Sequence, residues 1–137
     1  MLSTSITREL TAQVLAPLDG PGDVEVVLRY DTADPYAVHA TFQVALDQQI
    51  SWVFARELLA QGMAEPSGDG DVRIWPTTAE GREVVCIVLR SPDGEALLQA
   101  EAVQLGEFLS AAYSLCTRGR EARHLHIDRA LVALFAS

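Results

Sequence analysis

Apolar side chains fall on alternate residues through most of this chain, a period that suits a half-buried β-strand and not a helix. Residues 36 to 44 carry the pattern most cleanly, with Tyr36, Val38, Ala40, Phe42 and Val44 on one face and Ala37, His39, Thr41 and Gln43 on the other. Residues 24 to 30 set Val24, Val26, Leu28 and Tyr30 against Glu25, Val27 and Arg29. Residues 5 to 15 repeat it with Ile6, Leu10, Ala12 and Val14, interrupted by Arg8. Asp71-Val-Arg-Ile-Trp75 alternates and is expected to stop at Pro76, whereas Glu83–Leu89 is apolar on both faces and belongs inside a sheet or between layers. Turns separate these runs: Pro17-Leu-Asp-Gly-Pro-Gly22, Thr32-Ala-Asp-Pro35, Pro66-Ser-Gly-Asp-Gly70 and Ser91-Pro-Asp-Gly94. The last is a hairpin turn, with Glu95–Gln99 as the returning strand.

Helical spacing is confined to three places. Ile50–Phe54 reads as a short strand running into a helix, Ala55–Gln61, with Gly62 as its C-terminal cap. Residues 101 to 115 repeat Ala102, Leu105, Phe108, Leu109 and Ala112 at three and four, and Gly106 weakens that helix by about 1 kcal/mol relative to alanine. Residues 126 to 136 align Ile127, Leu131, Leu134 and Phe135. Seven strands and three helices in blocks predict an α+β fold, with helices packed on antiparallel sheets. A length of 137 residues, of which 49% are hydrophobic, suits one domain spanning 1–137 with a full core.

Charge narrows the function. The chain carries 10 basic and 19 acidic residues, a net of -9, and every basic residue is Arg. Lysine and asparagine, both encoded by A-rich codons, are absent, the signature of a GC-rich genome such as an actinomycete's. Nucleic-acid affinity rests mainly on cationic groups that neutralise phosphate, so an acidic chain with no basic stripe on its strands argues against it. The start, Met1-Leu-Ser-Thr-Ser5, lacks a basic and apolar leader, and no apolar run approaches the ~20 residues that span a bilayer. The expected location is cytoplasmic, where Cys86 and Cys116, each inside an apolar stretch, stay reduced and buried.

Chemistry-bearing clusters are few. His124 and His126 flank Leu125 near Asp128 and Cys116, but helical residues two apart diverge by about 200°, and no ordered third and fourth zinc ligands follow. Asp69, Asp71 and Glu80 imitate a calcium loop, except that Arg73 takes its fifth position and Ile74 the sixth, which requires glycine. Asp31 and Asp34 precede Pro35 and read as a tight turn. No nucleophile elbow, phosphate loop or dinucleotide fingerprint occurs, so no catalytic, cofactor or metal residue is assigned. Tyr30, Tyr36, Phe42, Trp52, Phe54 and Trp75 lie on predicted strands and fit a core or subunit interface better than a base-stacking platform, which normally flanks a cationic groove.

The charge is also uneven. Residues 1 to 116 carry -11 and the last 21 carry +2, with Arg118, Arg120, Arg123 and Arg129 set against Glu121 and Asp128. The run from Thr117 to His126 is either a solvated loop or a contact for an acidic protein partner.

Several quoted runs together resemble the SsgA-like sporulation and cell-division proteins of actinomycetes. They are Leu28-Arg-Tyr-Asp-Thr-Ala-Asp-Pro-Tyr-Ala-Val-His-Ala-Thr-Phe42, Trp52-Val-Phe-Ala-Arg-Glu-Leu-Leu59, Gly70-Asp-Val-Arg-Ile-Trp-Pro76, Val85-Cys-Ile87 and Ser91-Pro-Asp-Gly-Glu-Ala-Leu-Leu98. The likeness covers residues 24 to 100 with little interruption. It implies a non-enzymatic protein that recruits or positions FtsZ at the division septum and promotes its polymerisation, alone or with an SsgA-like paralogue. It further implies two antiparallel sheets packed with helices, similar to the whirly single-strand-binding fold, and assembly into a homo-oligomer, a trimer. Single-stranded nucleic-acid binding is the alternative that such a fold raises, and the acidic balance opposes it. Membrane insertion is not expected.

Overall fold

The computed structural model of the chain describes residues 4–16 and 22–122. Seven strands and two helices follow in the order β1 (Ser5–Ala16), β2 (Asp23–Asp31), β3 (Ala37–Ala45), β4 (Gln48–Ala55), α1 (Arg56–Gly62), β5 (Val72–Ala79), β6 (Arg82–Ser91), β7 (Gly94–Glu101) and α2 (Ala102–Leu115). The helix expected over residues 126 to 136 lies outside the described residues.

The strands form one sheet in the order β4-β3-β2-β1-β7-β6-β5, every neighbour antiparallel. Two sheets were expected, and β1 is the reason there is one. Its residues Ser5 to Gln13 pair with β2, and Gln13 to Ala16 then pair with β7, the register shifting between Val14 and Ala16. An extra residue of this kind bends a strand and increases its twist. One long strand thereby joins two halves by hydrogen bonds, and both halves still face a single core. Val26, Leu28, Phe42 and Phe54 come from one half and Ile87, Leu98 and Ala100 from the other, with Leu59 of α1 and Leu105 and Phe108 of α2 packed among them.

The period-two reading holds on these strands except at Tyr36, which was expected on the buried face but lies in the turn before β3 and is 49% exposed. Val24, Val26, Leu28 and Tyr30 are buried while Glu25 and Arg29 are exposed, and Val38, Ala40 and Phe42 are buried on β3. On β6, Val84 to Leu89 are all buried, as an inner strand apolar on both faces requires. The hairpin closes at Ser91 and Gly94, where Gly94 takes φ +152°.

Two boundaries differ from expectation. β5 runs through Pro76, which pairs with Val85. Because β5 is an edge strand, alternate amides face away from β6. The Ile74 amide does so and donates to Ser67 O at 2.9 Å, and Pro76, two residues on, has the same orientation. Its missing N–H therefore costs no ladder bond. Gly62 is the last residue of α1 and not its cap, which is Met63 in a right-handed conformation. A Cβ at Gly62 would sit 2.3 Å from Ile74 Cγ2, so glycine is there to let α1 lie against β5.

Candidate functional site

The largest polar assembly in the described residues is built on Arg56, the first residue of α1, which is 2% exposed. Burial of a guanidinium demands acceptors for its donors, and four are supplied. Nη1 donates to Tyr30 Oη at 3.1 Å, Ala112 O at 3.3 Å and Cys116 O at 2.6 Å, and Nη2 donates to Glu121 Oε1 at 2.8 Å. The guanidinium also lies 3.9 Å from the Tyr113 ring centroid and 4.9 Å from that of Tyr30. The Tyr30 hydroxyl in turn donates to Pro35 O at 3.0 Å.

Topology explains why an arginine is used. α2 has no basic residue in its last turn, and the carbonyls of Ala112 and Cys116 lie at that end. The Cys116 amide already caps the Ala112 carbonyl, and Arg56 reaches both carbonyls from another element, adding a donor for Cys116 and a positive charge that the last turn lacks. The backbone N–H of Arg56 donates to Tyr36 O at 2.8 Å, which ties the start of α1 to the turn after β2.

The same guanidinium organises the segment that follows α2. Glu121 folds back, accepting from Arg56 through one oxygen and from the Gly119 amide through the other at 2.9 Å. The Arg120 amide donates to Thr117 O at 3.0 Å, and Gly119 takes φ +88°, which closes a tight turn. Burial pushes the Glu121 carboxyl up, but hydrogen bonds from backbone amides and from Arg56 outweigh it and hold the group below its ordinary range. Burial also pushes the Tyr30 phenol up despite the pull of Arg56, which keeps it a neutral donor.

Of the three arginines expected to meet a partner, the structure places two on this turn. Arg118 lies 3.2 Å from Glu57 and 5.3 Å from the Tyr113 ring centroid, and the Tyr113 hydroxyl donates to the same Glu57 at 3.1 Å. Arg120 is exposed, with no side-chain partner among the described residues. Arg123, His124, His126, Asp128 and Arg129 lie outside them. The sequence reading passed over Arg56 and Glu121, which hold the site together.

The remaining candidates resolve into structure. Asp31 accepts the Ala33 amide at 2.8 Å and pairs with Arg29 at 2.8 Å, while the Asp34 carboxylate meets His39 at 3.2 Å, so both acids shape the β2–β3 turn. The eight residues of β5 separate Asp71 from Glu80, leaving no calcium loop. Cys86 and Cys116 are buried free thiols, and burial pushes Cys86 up. Among the described residues no three His, Cys, Asp or Glu side chains cluster as metal ligands, and no helix is long and apolar enough to cross a membrane. Of the six aromatics read as strand residues, Tyr30, Phe42 and Phe54 are buried and cannot stack on a base, Trp52 and Trp75 are half-buried, and Tyr36 is exposed.

A second surface lies at the other end of the sheet, six residues along β2 from Tyr30 and so about 20 Å away. It is an apolar groove of about 590 Å³ lined by Val14, Val24, Phe42, Ile50, Trp52 and Leu98. β4, beside it, is a sheet edge with no charged residue and no proline, and Ile50 and Val53 are 44% and 55% exposed. The opposite edge, β5, carries Arg73 and Pro76 and is partly covered by Ser67.

Residues 24–121 match the family described as Streptomyces sporulation and cell division protein, SsgA. The chain belongs to the SsgA-like family. The sporulation-specific cell division protein SsgB of Streptomyces coelicolor is 45% identical over 98% of both chains, and that of Salinispora tropica 44% identical over 97% of this chain and 94% of the relative. A solved structure concerned with SsgB mutations that correlate to longitudinal cell division during sporulation of S. coelicolor superposes with a TM-score of 0.86 at 47% identity, covering 90% of this chain and 98% of that one. An SsgA-like sporulation-specific cell division protein from Thermobifida fusca gives 0.88 at 40% identity over 96% of each. Within the family the chain is most like SsgB, and its role lies in cell division during sporulation.

Proposed function

We propose that this SsgA-like protein is a non-enzymatic adaptor that recruits FtsZ to sporulation septa and promotes its polymerisation, using the turn after α2 as an electrostatic contact. The observation that carries this reading is the exposure of Arg118 and Arg120 on a turn fastened to the core, on an otherwise acidic body. Arginine pairs well with carboxylates, and opposite charge speeds encounter with the right partner. Each contact is weak when solvated, so an oligomer meeting a filament of repeated subunits gains through avidity. Reversing Arg118, Arg120 and Arg123 to glutamate should weaken co-sedimentation with FtsZ polymers by about tenfold at low salt and abolish its salt dependence. Unchanged pelleting at every salt concentration overturns the contact. Micromolar binding of labelled single-stranded oligonucleotides at low salt would instead favour a nucleic-acid role.

The avidity argument needs self-association, and we assign it to β4. A long, uncharged edge with exposed Ile50 and Val53 invites another chain, whereas the arginine and proline of β5 discourage one. In a closed trimer each contact is heterologous, so β4 meets a different surface of its neighbour. Val53→Lys is expected to convert a trimer into monomers in light scattering, and a variant that stays trimeric removes β4 from the interface.

A further inference from the structure

We infer that Arg56 is a positioning residue for the proposed contact: through Glu121 it latches the turn Thr117 to Glu121 against α2, so that Arg118 and Arg120 are presented in a fixed arrangement to an acidic partner. This rests on the reading of the turn as a contact, but the latch can be tested without any partner.

The geometry supports a latch on two counts. Glu121 is the only side chain of the turn that reaches the buried guanidinium, and its second oxygen fixes the Gly119 amide between the two exposed arginines. Among the described residues no other side chain as buried as Arg56 bonds to the turn. Its remaining ties among the described residues are the Arg120 to Thr117 backbone bond, a long contact of Cys116 Sγ with Thr117 O, and the contacts of the exposed Arg118 with Glu57 and Tyr113, the Arg118 and Glu57 side chains being 63% and 47% exposed. Arg56 meanwhile keeps three acceptors without Glu121, namely Tyr30 Oη, Ala112 O and Cys116 O. Opening the latch thus releases the turn while Nη1 keeps its core acceptors and Nη2 turns to the water that the opened turn admits.

The latch makes a prediction that opposes simple electrostatics. Glu121→Ala and Glu57→Gln each remove one negative charge beside Arg118 and Arg120. If charge alone governed binding, both variants would bind an acidic partner more tightly. With the latch, only Glu57→Gln tightens it. Glu121→Ala frees two long side chains that must be ordered again on binding, and should weaken co-sedimentation with FtsZ polymers by about tenfold. Glu121→Gln keeps one acceptor oxygen, enough for Arg56 or for Gly119 but not for both, and should restore only part of that loss.

Amide hydrogen exchange supplies the partner-free arm. In Glu121→Ala, protection at Gly119 and Arg120 should fall by about tenfold or more while that of Val85 and Ile87 on β6 is unchanged. Unchanged exchange at Gly119, or Glu121→Ala pelleting as well as Glu57→Gln, overturns the latch. If charge reversal of the arginines leaves pelleting intact while Gly119 loses protection in Glu121→Ala, the FtsZ reading fails and the latch stands.

Discussion

Arg56→Ala should lower the unfolding free energy by about 3–5 kcal/mol, the loss typical of removing one partner from a buried ion pair. Several acceptors lose the guanidinium at once: the Cys116 carbonyl, Tyr30 Oη and Glu121, together with the Ala112 carbonyl, which keeps the Cys116 amide. Glu121, 13% exposed, can regain water as the turn opens, so most of the cost falls on the Cys116 carbonyl and on the space left between the Tyr30 and Tyr113 rings. Since whole domains are stable by only about 5–15 kcal/mol, the variant should unfold at much lower urea. Arg56→Lys separates charge from geometry. Lysine keeps the charge but has no planar fork to reach the acceptors and both rings together, and should still lose about 2 kcal/mol. Urea melts of the three proteins decide it, and a loss below about 1 kcal/mol for Arg56→Ala would show that the network contributes little.

Most of the fold was legible because burial on one face of a strand writes itself into every second residue. Val24 to Tyr30 and Val38 to Phe42 lie as the alternation predicted, and the unbroken apolar run of β6 identified an inner strand. What alternation does not encode is which strands share hydrogen bonds. That one sheet replaces two depends on the register shift in β1 near Leu15, and a single extra residue there leaves no compositional trace. Pro76 misled for a related reason: it ends a strand only where its nitrogen would face a neighbour, and edge position is a property of topology.

The site was half visible. Charge asymmetry located Arg118 and Arg120, but a charge count treats all arginines alike, so the buried one was read as an ordinary helical residue. A signal did exist. Arg56, Leu59 and Gly62 recur at three on α1 and all are buried, so the helical stripe itself placed Arg56 inward. An arginine on a buried stripe requires acceptors, and a search for them leads to the carbonyl end of a helix with no basic residue in its last turn and to a nearby acid. Glu121 could not be matched to it from spacing, since 65 residues separate them.

Gly62→Ala is the sharper test of how that stripe is packed, because two effects predict opposite signs. Helix propensity alone favours alanine over glycine by about 1 kcal/mol in a helix interior. Packing opposes it: the new methyl would lie 2.3 Å from Ile74 Cγ2, 2.5 Å from its Cβ and 3.2 Å from its carbonyl oxygen. Ile74 is fully buried and stiff at χ1, and it is held by β6 on one side and Ser67 on the other, so it has little room to yield. Either α1 or β5 must move, and overpacking of this kind should make the variant less stable by about 3 kcal/mol, propensity included. A melting temperature equal to or above that of the parent would show that α1 yields freely. If it does not, the displacement passes along a helix of seven residues to Arg56 at its first position. Gly119 should then lose exchange protection in Gly62→Ala, although the substitution touches neither Arg56 nor Glu121, because the latch is set by how closely α1 lies on β5.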